Sequence, residues 1–492
     1  MTGVIPAISP WRQLYEIEAG PVHIRSAELR GNVPTELRGV HYRVGPVGGR
    51  AYGLPLGNAF ADADGYACAY TFTDDGVEVR GDIVRTSVYE REHAAGRLLS
   101  STFGTVPSMP LASRLATGIR GLRSYFPKLG ERQDAPVKDS PNHVPCVVGG
   151  KLILIGGAGA PYALRTTDLA MLGPDDFGGA LPPRQVYLIG ESHLDPNSGE
   201  RCFLEISTAP PGLRLWSVSA NGRGRGSRRI PLSRVYMPHD FGLTESKIVV
   251  PAGPVFGSIP RLILANLGIG TLNDGFIWHG DKPTIYFVID RKTNTVRKYH
   301  TGACYPVHIA NAFDDGDDVV LDMNVHNNDA ALRGFTAAVD HDAGHPDFVN
   351  RLYRIRLTGD GRVTKDELAP FDCEVPYSNE VYDGRRSRYI YATVTSRGIA
   401  GSQRIVKVDA ETRQHWTFDY GAGSVTGQPV FVPRPGATAE DDGWVLCQVY
   451  DGVARTSFLS IVNGDFSQEH GRVVLPCALP YLLHGKFVAS AP

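Results

Sequence analysis

The sequence predicts an all-β fold, and three observations carry that reading. Turn signals recur along the chain, at Asp74–Gly76, Asn197–Gly199, Ala220–Gly222, Asp314–Asp318, Gly359–Gly361 and Asp441–Gly443. Gly, Asn and Asp supply the positive φ angles and local side-chain bonds that tight turns need. Between them lie short runs rich in β-branched and aromatic residues, such as KLILIGG, RCFLEIS, TIYFVID, DVVLDMNV and GWVLCQVYD. Such runs, bounded by turns, read as strands. Long helical periods are scarce, and the alternating βα rhythm of a doubly wound fold is missing.

A chain of 492 residues exceeds what one ordinary core holds, so it divides into domains or closes as one large architecture. Many short strands need closure to avoid exposed edges, and radial repetition of four-stranded blades scales to this length. Seven blades would average roughly 70 residues each. The sequence carries no WD or kelch-like repeat, so periodicity alone does not prove a propeller. With no Ser/Pro-rich linker to divide it, residues 1–492 are expected to form one domain.

Lys and Arg total 50 against 52 Asp and Glu, a balance that argues against a general nucleic-acid binder. The seven Cys are scattered without a CxxC pair, which speaks for a reducing compartment rather than a disulfide framework. The first residues show no basic-then-apolar leader pattern. With no long apolar run, a soluble, cytoplasmic protein is expected.

One segment departs from the β pattern. Met109–Leu129 spaces Leu111, Leu115, Ile119 and Leu122 three and four apart, with Arg114, Arg120 and Arg123 between them. A basic amphipathic helix of this kind can lie in a membrane interface, and peripheral membrane association is therefore one expectation. The alternative is an ordinary packed helix or loop, weakened by Gly118 and Gly121.

No HExxH, GxSxG or Walker motif is present. The candidates for chemistry are four separated histidines: His193 in ESHLDPNSGE, His239 in MPHDFGLTES, His308 in YPVHIANAF and His484 in LPYLLHGKFV. Local metal motifs are not spaced this way. A propeller offers a route, with one ligand from each of several inner strands aimed at the axis. Imidazole suits iron, copper or zinc. Taken singly, each histidine reads as a structural or surface residue rather than a ligand.

The contexts of these histidines resemble the carotenoid oxygenase family of carotenoid and apocarotenoid cleavage dioxygenases, stilbene-cleaving dioxygenases and retinoid isomerohydrolases. The likeness runs over nearly the whole chain, through GNVPTELRGVHYRVGP, FADADGYACAYTF, PPGLRLWSVSANGR, IWHGDKPTIYFVIDR, PVFVPRPGATAEDDGWVL and LPYLLHGKFV. It implies a seven-bladed β-propeller with a dome of loops and helices over an axial metal site. It implies Fe(II) held by His193, His239, His308 and His484. The implied reaction is cleavage by O2 of a C=C bond in an apolar conjugated alkene, giving carbonyl products.

The chain also departs from that pattern. The family normally places three glutamates behind the iron-bound histidines, to orient their rings and raise their basicity. Glu374 matches one of them. Gln428 stands at the second, in GQPVFVP where the family reads GEPVFVP, and Gly157 stands at the third. This alignment implies a loss of two negative charges and one less firmly oriented histidine. The lysine that stilbene-cleaving relatives often carry is replaced here by Ile155 or Gly156, which favours an apolar polyene over a hydroxystilbene. A polyene-binding protein without turnover and a non-oxygenolytic isomerase remain alternatives. Cys304 reads as a small buried hydrophobe and Asp240 as a turn residue. Arg385, Arg386 and Arg388 read as a solvated cluster, and His279 and His326 have no ligand context.

Overall fold

A computed structural model describes residues 10–122, 137–138, 140–157, 160–182, 186–208, 210–329, 349–395 and 401–490. Its strands form seven antiparallel blades around one axis. The predicted turns fall between paired strands. Asp74–Gly76 joins Gly65–Thr73 to Gly76–Ile83, and Asn197–Gly199 joins Leu188–Leu194 to Arg201–Thr208. Asp314–Asp318 joins Tyr305–Asp315 to Asp318–His326.

Burial follows position within a blade. Tyr305–Asp315, an inner strand, is buried at every position from Tyr305 to Phe313. Val296–Thr301, an outer strand, is mostly exposed. The second position in a blade suits β-branched residues packed on both faces, as in Lys247–Ala252.

The inner strands are Val144–Val148, Leu188–Leu194, Gly242–Leu243, Tyr305–Asp315, Cys373–Ser378, Val430–Pro433 and His484–Ala489. Each contacts the next, and the last contacts the first. Every interface between neighbouring blades has its own apolar cluster. Between the first and last blades, for example, Tyr66 and Tyr70 meet Trp444 and Leu459. Fully burying side chains of this kind contributes about 1.5–3 kcal/mol each.

Closure uses both ends of the chain. His484–Ala489 pairs with Gly39–Pro46, aligning His484 with Val44. Glu28–Gly31 pairs in turn with Glu469–Val474 of the last blade. Arg43 locks this seam from within. Its guanidinium is buried and donates to the carbonyls of Gln428 at 2.7 Å, Leu483 at 3.0 Å and Leu482.

Loops and short helices cap one end of the axis. Ala59–Asp62, Ser87–Ala95, Leu111–Leu122 and Ile259–Asn266 are the helices of this dome. Lys138 anchors it through buried bonds to Asp64 at 2.8 Å and Glu92 at 2.9 Å. The basic amphipathic segment is helical over Leu111–Leu122, and residues 123–129 lie outside the described residues. No helix among the described residues is long and apolar enough to cross a membrane. All seven cysteines are free, six of them buried. Arg385, Arg386 and Arg388 form surface ion pairs with Glu245, Glu411 and Asp409.

Replacing Arg43 with Leu leaves the buried carbonyls of Gln428 and Leu482 without a donor, while Leu483 O keeps the Gln428 N–H. Each such loss costs about 1–3 kcal/mol, so Arg43→Leu is expected to lower unfolding free energy by roughly 2 kcal/mol or more. Denaturant titration checks this, with an unchanged midpoint as the contrary result.

Candidate metal centre

The top of the axis collects at least one polar residue from each blade. His143 precedes the inner strand Val144–Val148, and Glu191 and His193 lie on Leu188–Leu194. His239 precedes Gly242–Leu243, His308 lies on Tyr305–Asp315, and Glu374 on Cys373–Ser378. Gln428 precedes Val430–Pro433, and His484 opens the closing strand. This is why residues far apart in sequence meet: a propeller brings the same position of every blade to the axis.

Local backbone irregularities aim these side chains. Pairing shifts around His308, whose own N–H donates to Asn324 Oδ1 at 2.7 Å. Pairing also shifts between Ile189 and His193. Gly190 sits there with φ +61°, and a Cβ on it would lie 2.4 Å from the His239 carbonyl oxygen. Only glycine allows the strand carrying Glu191 to approach the His239 segment this closely. Val375, directly after Glu374, holds φ +44°, a costly conformation for a β-branched residue.

His239, His308 and His484 come together. The Nε2 atoms of His239 and His308 are 3.2 Å apart. The ring centroids of His239 and His308 are 4.7 Å apart, and those of His308 and His484 5.2 Å. Glu374 fixes the His308 tautomer. Its Oε2 accepts from His308 Nδ1 at 2.9 Å, Asn324 Nδ2 at 2.8 Å and the Val375 N–H at 3.0 Å. Its Oε1 accepts from His326 Nε2 at 2.7 Å. With its proton on Nδ1, His308 presents a bare Nε2 lone pair to the axis. Burial works to raise the Glu374 carboxyl, but the bonds from His308 and His326 hold it far below the usual range.

His193 is placed differently from the sequence expectation. Its Nε2 donates to Asp240 Oδ1 at 3.1 Å, and the Phe241 ring packs edge-on against it at 4.8 Å. Asp240 is itself fixed by the N–H groups of Phe241 and Ile309, at 2.8 and 2.9 Å. It therefore does more than shape a turn, because it ties together the segments that carry His193, His239 and His308. The residue nearest His484 is Glu191, with Oε1 2.9 Å from Nδ1. Burial would raise the Glu191 carboxyl, but His484, His308 and His193 around it hold it down at about 2.

The other two expected partners also differ. Gln428 Oε1 accepts from the Gly485 N–H at 3.1 Å, and its own N–H donates to Leu483 O at 3.0 Å. Its amide thus clamps the backbone around His484 rather than bonding a ring. Gly157 lines the adjoining cavity, and a Cβ there would meet nothing within 4 Å. Sequence reasoning missed three contributors: Glu191, His143 and His326. The His143 ring lies 6.4 Å from that of His239, and burial beside His484 and His308 pushes it down to about 3. Glu191 was legible as a carboxylate two residues before His193 in the same strand.

As they stand, no three His, Cys, Asp or Glu donors among the described residues surround one point tightly enough to hold an ion. The chemistry of the set nevertheless suits a transition metal. It offers imidazole nitrogens in contact, one with its lone pair fixed by Glu374, and two buried atoms, Glu191 Oε1 and His484 Nδ1, with no hydrogen-bond partner.

A cavity of about 420 Å³ opens beside this cluster and reaches His239 and His143. Phe60, Phe103, Ile155, Leu188, Leu262 and Phe276 are among its apolar lining residues, and no Lys, Arg, Asp or Glu is among its described lining residues.

The family model described as retinal pigment epithelial membrane protein matches residues 16–489. The chain belongs to the carotenoid oxygenase family. Among curated proteins it is 28% identical to the apocarotenoid-15,15'-oxygenase of Synechocystis sp., covering 94% of this chain and 93% of that one. It is 28% identical, with the same coverage, to the carotenoid isomerooxygenase of Galleria mellonella. The resveratrol cleavage oxygenase 1 of Aspergillus fumigatus is 24% identical, over 94% of this chain and 92% of its own. Among solved structures, a single-residue variant of Synechocystis apocarotenoid oxygenase superposes with TM-score 0.85 at 25% identity, covering 98% of both chains. The cobalt-substituted form of that oxygenase matches with TM-score 0.85 at 24% identity, again over 98% of both. This oxygenase-family chain is a carotenoid cleavage dioxygenase-like enzyme.

Glu374→Gln exchanges an acceptor of four bonds for an amide whose nitrogen opposes the His308 or His326 donor. Metal affinity is expected to fall about 10–100-fold, measured by chelator competition with circular dichroism as the folding control. Unchanged affinity would show that Glu374 does not support a metal ligand.

Proposed function

We propose that this carotenoid oxygenase is a non-haem Fe(II)-dependent dioxygenase that cleaves a C=C bond of an apocarotenoid, a carotenoid or a related conjugated alkene. The observation that carries the reading is an apolar cavity, with no charged residue among its described lining, that reaches the imidazole cluster at His239. A cavity of this size and lining suits a mostly apolar small molecule. Hydroxystilbenes fit it less well, because a phenol calls for a polar partner where Ile155 and Gly156 stand.

His239, His308 and His484 would hold the iron, with a fourth donor from Leu188–Leu194. Bound iron supplies activation of O2 beside the alkene. The chain's own residues do the rest. Glu374 keeps the His308 lone pair on Nε2. Gln428 holds the backbone on either side of His484. The aromatic and aliphatic wall excludes water and sets which bond of an extended substrate lies beside the cluster. In the net reaction the C=C bond breaks and each carbon takes one oxygen atom of O2.

Anaerobically purified protein is expected to contain about one iron per chain, the stoichiometry of a single site. Incubation with apocarotenals and O2 should yield two carbonyl products per substrate. Iron-loaded protein silent on a panel of polyenes and stilbenes would overturn the proposal, and turnover without O2 would favour an isomerase.

The cavity mouth supports peripheral membrane association as the route of substrate entry. Ile259 and Ile263 line the cavity while their outer faces are exposed, and Leu264 is exposed beside them on the helix Ile259–Asn266. Leu111–Leu122 packs against this helix, with Gly118 at the Leu267 backbone and Arg114 Nη1 donating to Gly268 O at 3.2 Å. Leu111 and Ile119 extend the apolar surface. Removing two such side chains forfeits about 1.5 kcal/mol each. Ile263→Asp with Leu264→Asp is therefore expected to reduce co-sedimentation with phosphatidylcholine vesicles at least tenfold. Equal sedimentation of variant and parent would remove this face from consideration.

A further inference from the structure

We infer that the carboxylate of Glu191, rather than the imidazole of His193, is the fourth donor of the axial metal site. The site is then three imidazoles and one carboxylate. This inference rests on the iron reading above and refines it.

Glu191 and His193 lie two residues apart on the strand Leu188–Leu194, in the stretch where its pairing with the neighbouring strand shifts. The backbone there is irregular, with Gly190 at φ +61°. The structure assigns them different partners. The His193 Nε2 proton is committed to Asp240, whose two oxygens also accept the Phe241 and Ile309 N–H groups. Asp240 is buried, so turning His193 away would leave part of a buried carboxylate unpaired. His193 is therefore held at the flank of the site by a bond it cannot cheaply exchange.

Glu191 has no comparable bond. Its Oε1 stands 2.9 Å from His484 Nδ1, yet the ring N–H direction does not meet it, and both atoms are buried without a hydrogen-bond partner. Buried polar atoms are almost always satisfied, so a pair left open side by side points to a shared third partner. The spacing suits that partner. Two donors each about 2.1 Å from one ion, at right angles, lie about 3.0 Å apart. Glu191 and His484 are separated by that edge length, and the Nε2 atoms of His239 and His308, at 3.2 Å, nearly so. On this reading, metal binding draws the two pairs together around one ion.

The charge around the site agrees. The amide of Gln428 brings no charge to the back of His484, and Gly157 brings no side chain. Glu191 is the carboxylate beside His484, and as a ligand it cancels one positive charge of a divalent ion directly. Carboxylate alongside imidazole is an established donor mixture for non-haem iron.

The test is metal binding and ligand counting on the full chain, loaded anaerobically with Fe(II) or Co(II). X-ray absorption on the parent protein is expected to count three imidazoles and at least one carboxylate oxygen. His193→Gln should retain about one metal per chain with affinity within a few-fold of the parent. Glu191→Gln should lose at least about tenfold in affinity by chelator competition, and Glu191→His should recover it with a fourth imidazole in the absorption spectrum. Circular dichroism controls for folding, and Glu191→His keeps the test open if Glu191→Gln folds poorly. Four imidazoles in the parent, or loss of metal from His193→Gln with retention in Glu191→Gln, would overturn the inference while leaving the iron reading intact. A parent protein that takes up neither metal would remove both.

Discussion

Ring closure is the constraint on which the rest of this molecule depends. Seven blades share one axis only because His484–Ala489 returns to pair with Gly39–Pro46, and Glu28–Gly31 joins the last blade in exchange. The same pairing delivers His484 to the cluster, so the strand that closes the fold also completes the site. Arg43 makes the coupling tight. It binds the Leu482 and Leu483 carbonyls immediately before His484 and the carbonyl of Gln428, whose side chain holds Gly485. Stability at the seam and the position of His484 are thus one problem in physical terms. A change that loosens either blade at this interface moves His484.

The axis also shows how a polar site survives inside an apolar scaffold. Buried imidazoles and carboxylates are costly unless each is paired. Glu374 meets that requirement with four donors, and Asp240 with three, each joining segments from different blades. These carboxylates organise the rings by accepting their protons' hydrogen bonds, which decides which nitrogen faces the axis. Glu191 and His484 are the exception, since the atoms that approach each other satisfy nothing else.

The fold was largely legible in the sequence. Turn signals such as Asp74–Gly76 and Asn197–Gly199 mark hairpins because φ and side-chain demands are local, and β-branched runs between them fill strands for equally local reasons. Blade number and closure were not legible from periodicity, because the blades share no repeated motif and the closing strand lies at the far end of the chain. They came from the family likeness. The histidines His239, His308 and His484 were found the same way, and the structure brings them together. For His193 and Glu191 the sequence was less informative. Both sit on one strand, where its pairing shifts, and only the three-dimensional positions of Asp240 and His484 show their different partners. Gln428 shows the same limit, since its amide was expected to meet a ring and instead holds a backbone.

The contrast between cavity and axis gives the last step. The described cavity wall has no charged side chain, while the axis beside it carries Glu191, Glu374 and Asp240. An apolar chain entering past Ile259 and Ile263 gains by desolvation along the wall but can gain nothing by advancing among those carboxylates. The boundary between the two therefore acts as a stop. On the proposed reading, the depth an extended substrate reaches would be set near His143 and His239, where the cavity meets the imidazoles. The bond presented to the cluster would then depend on substrate length measured from that stop.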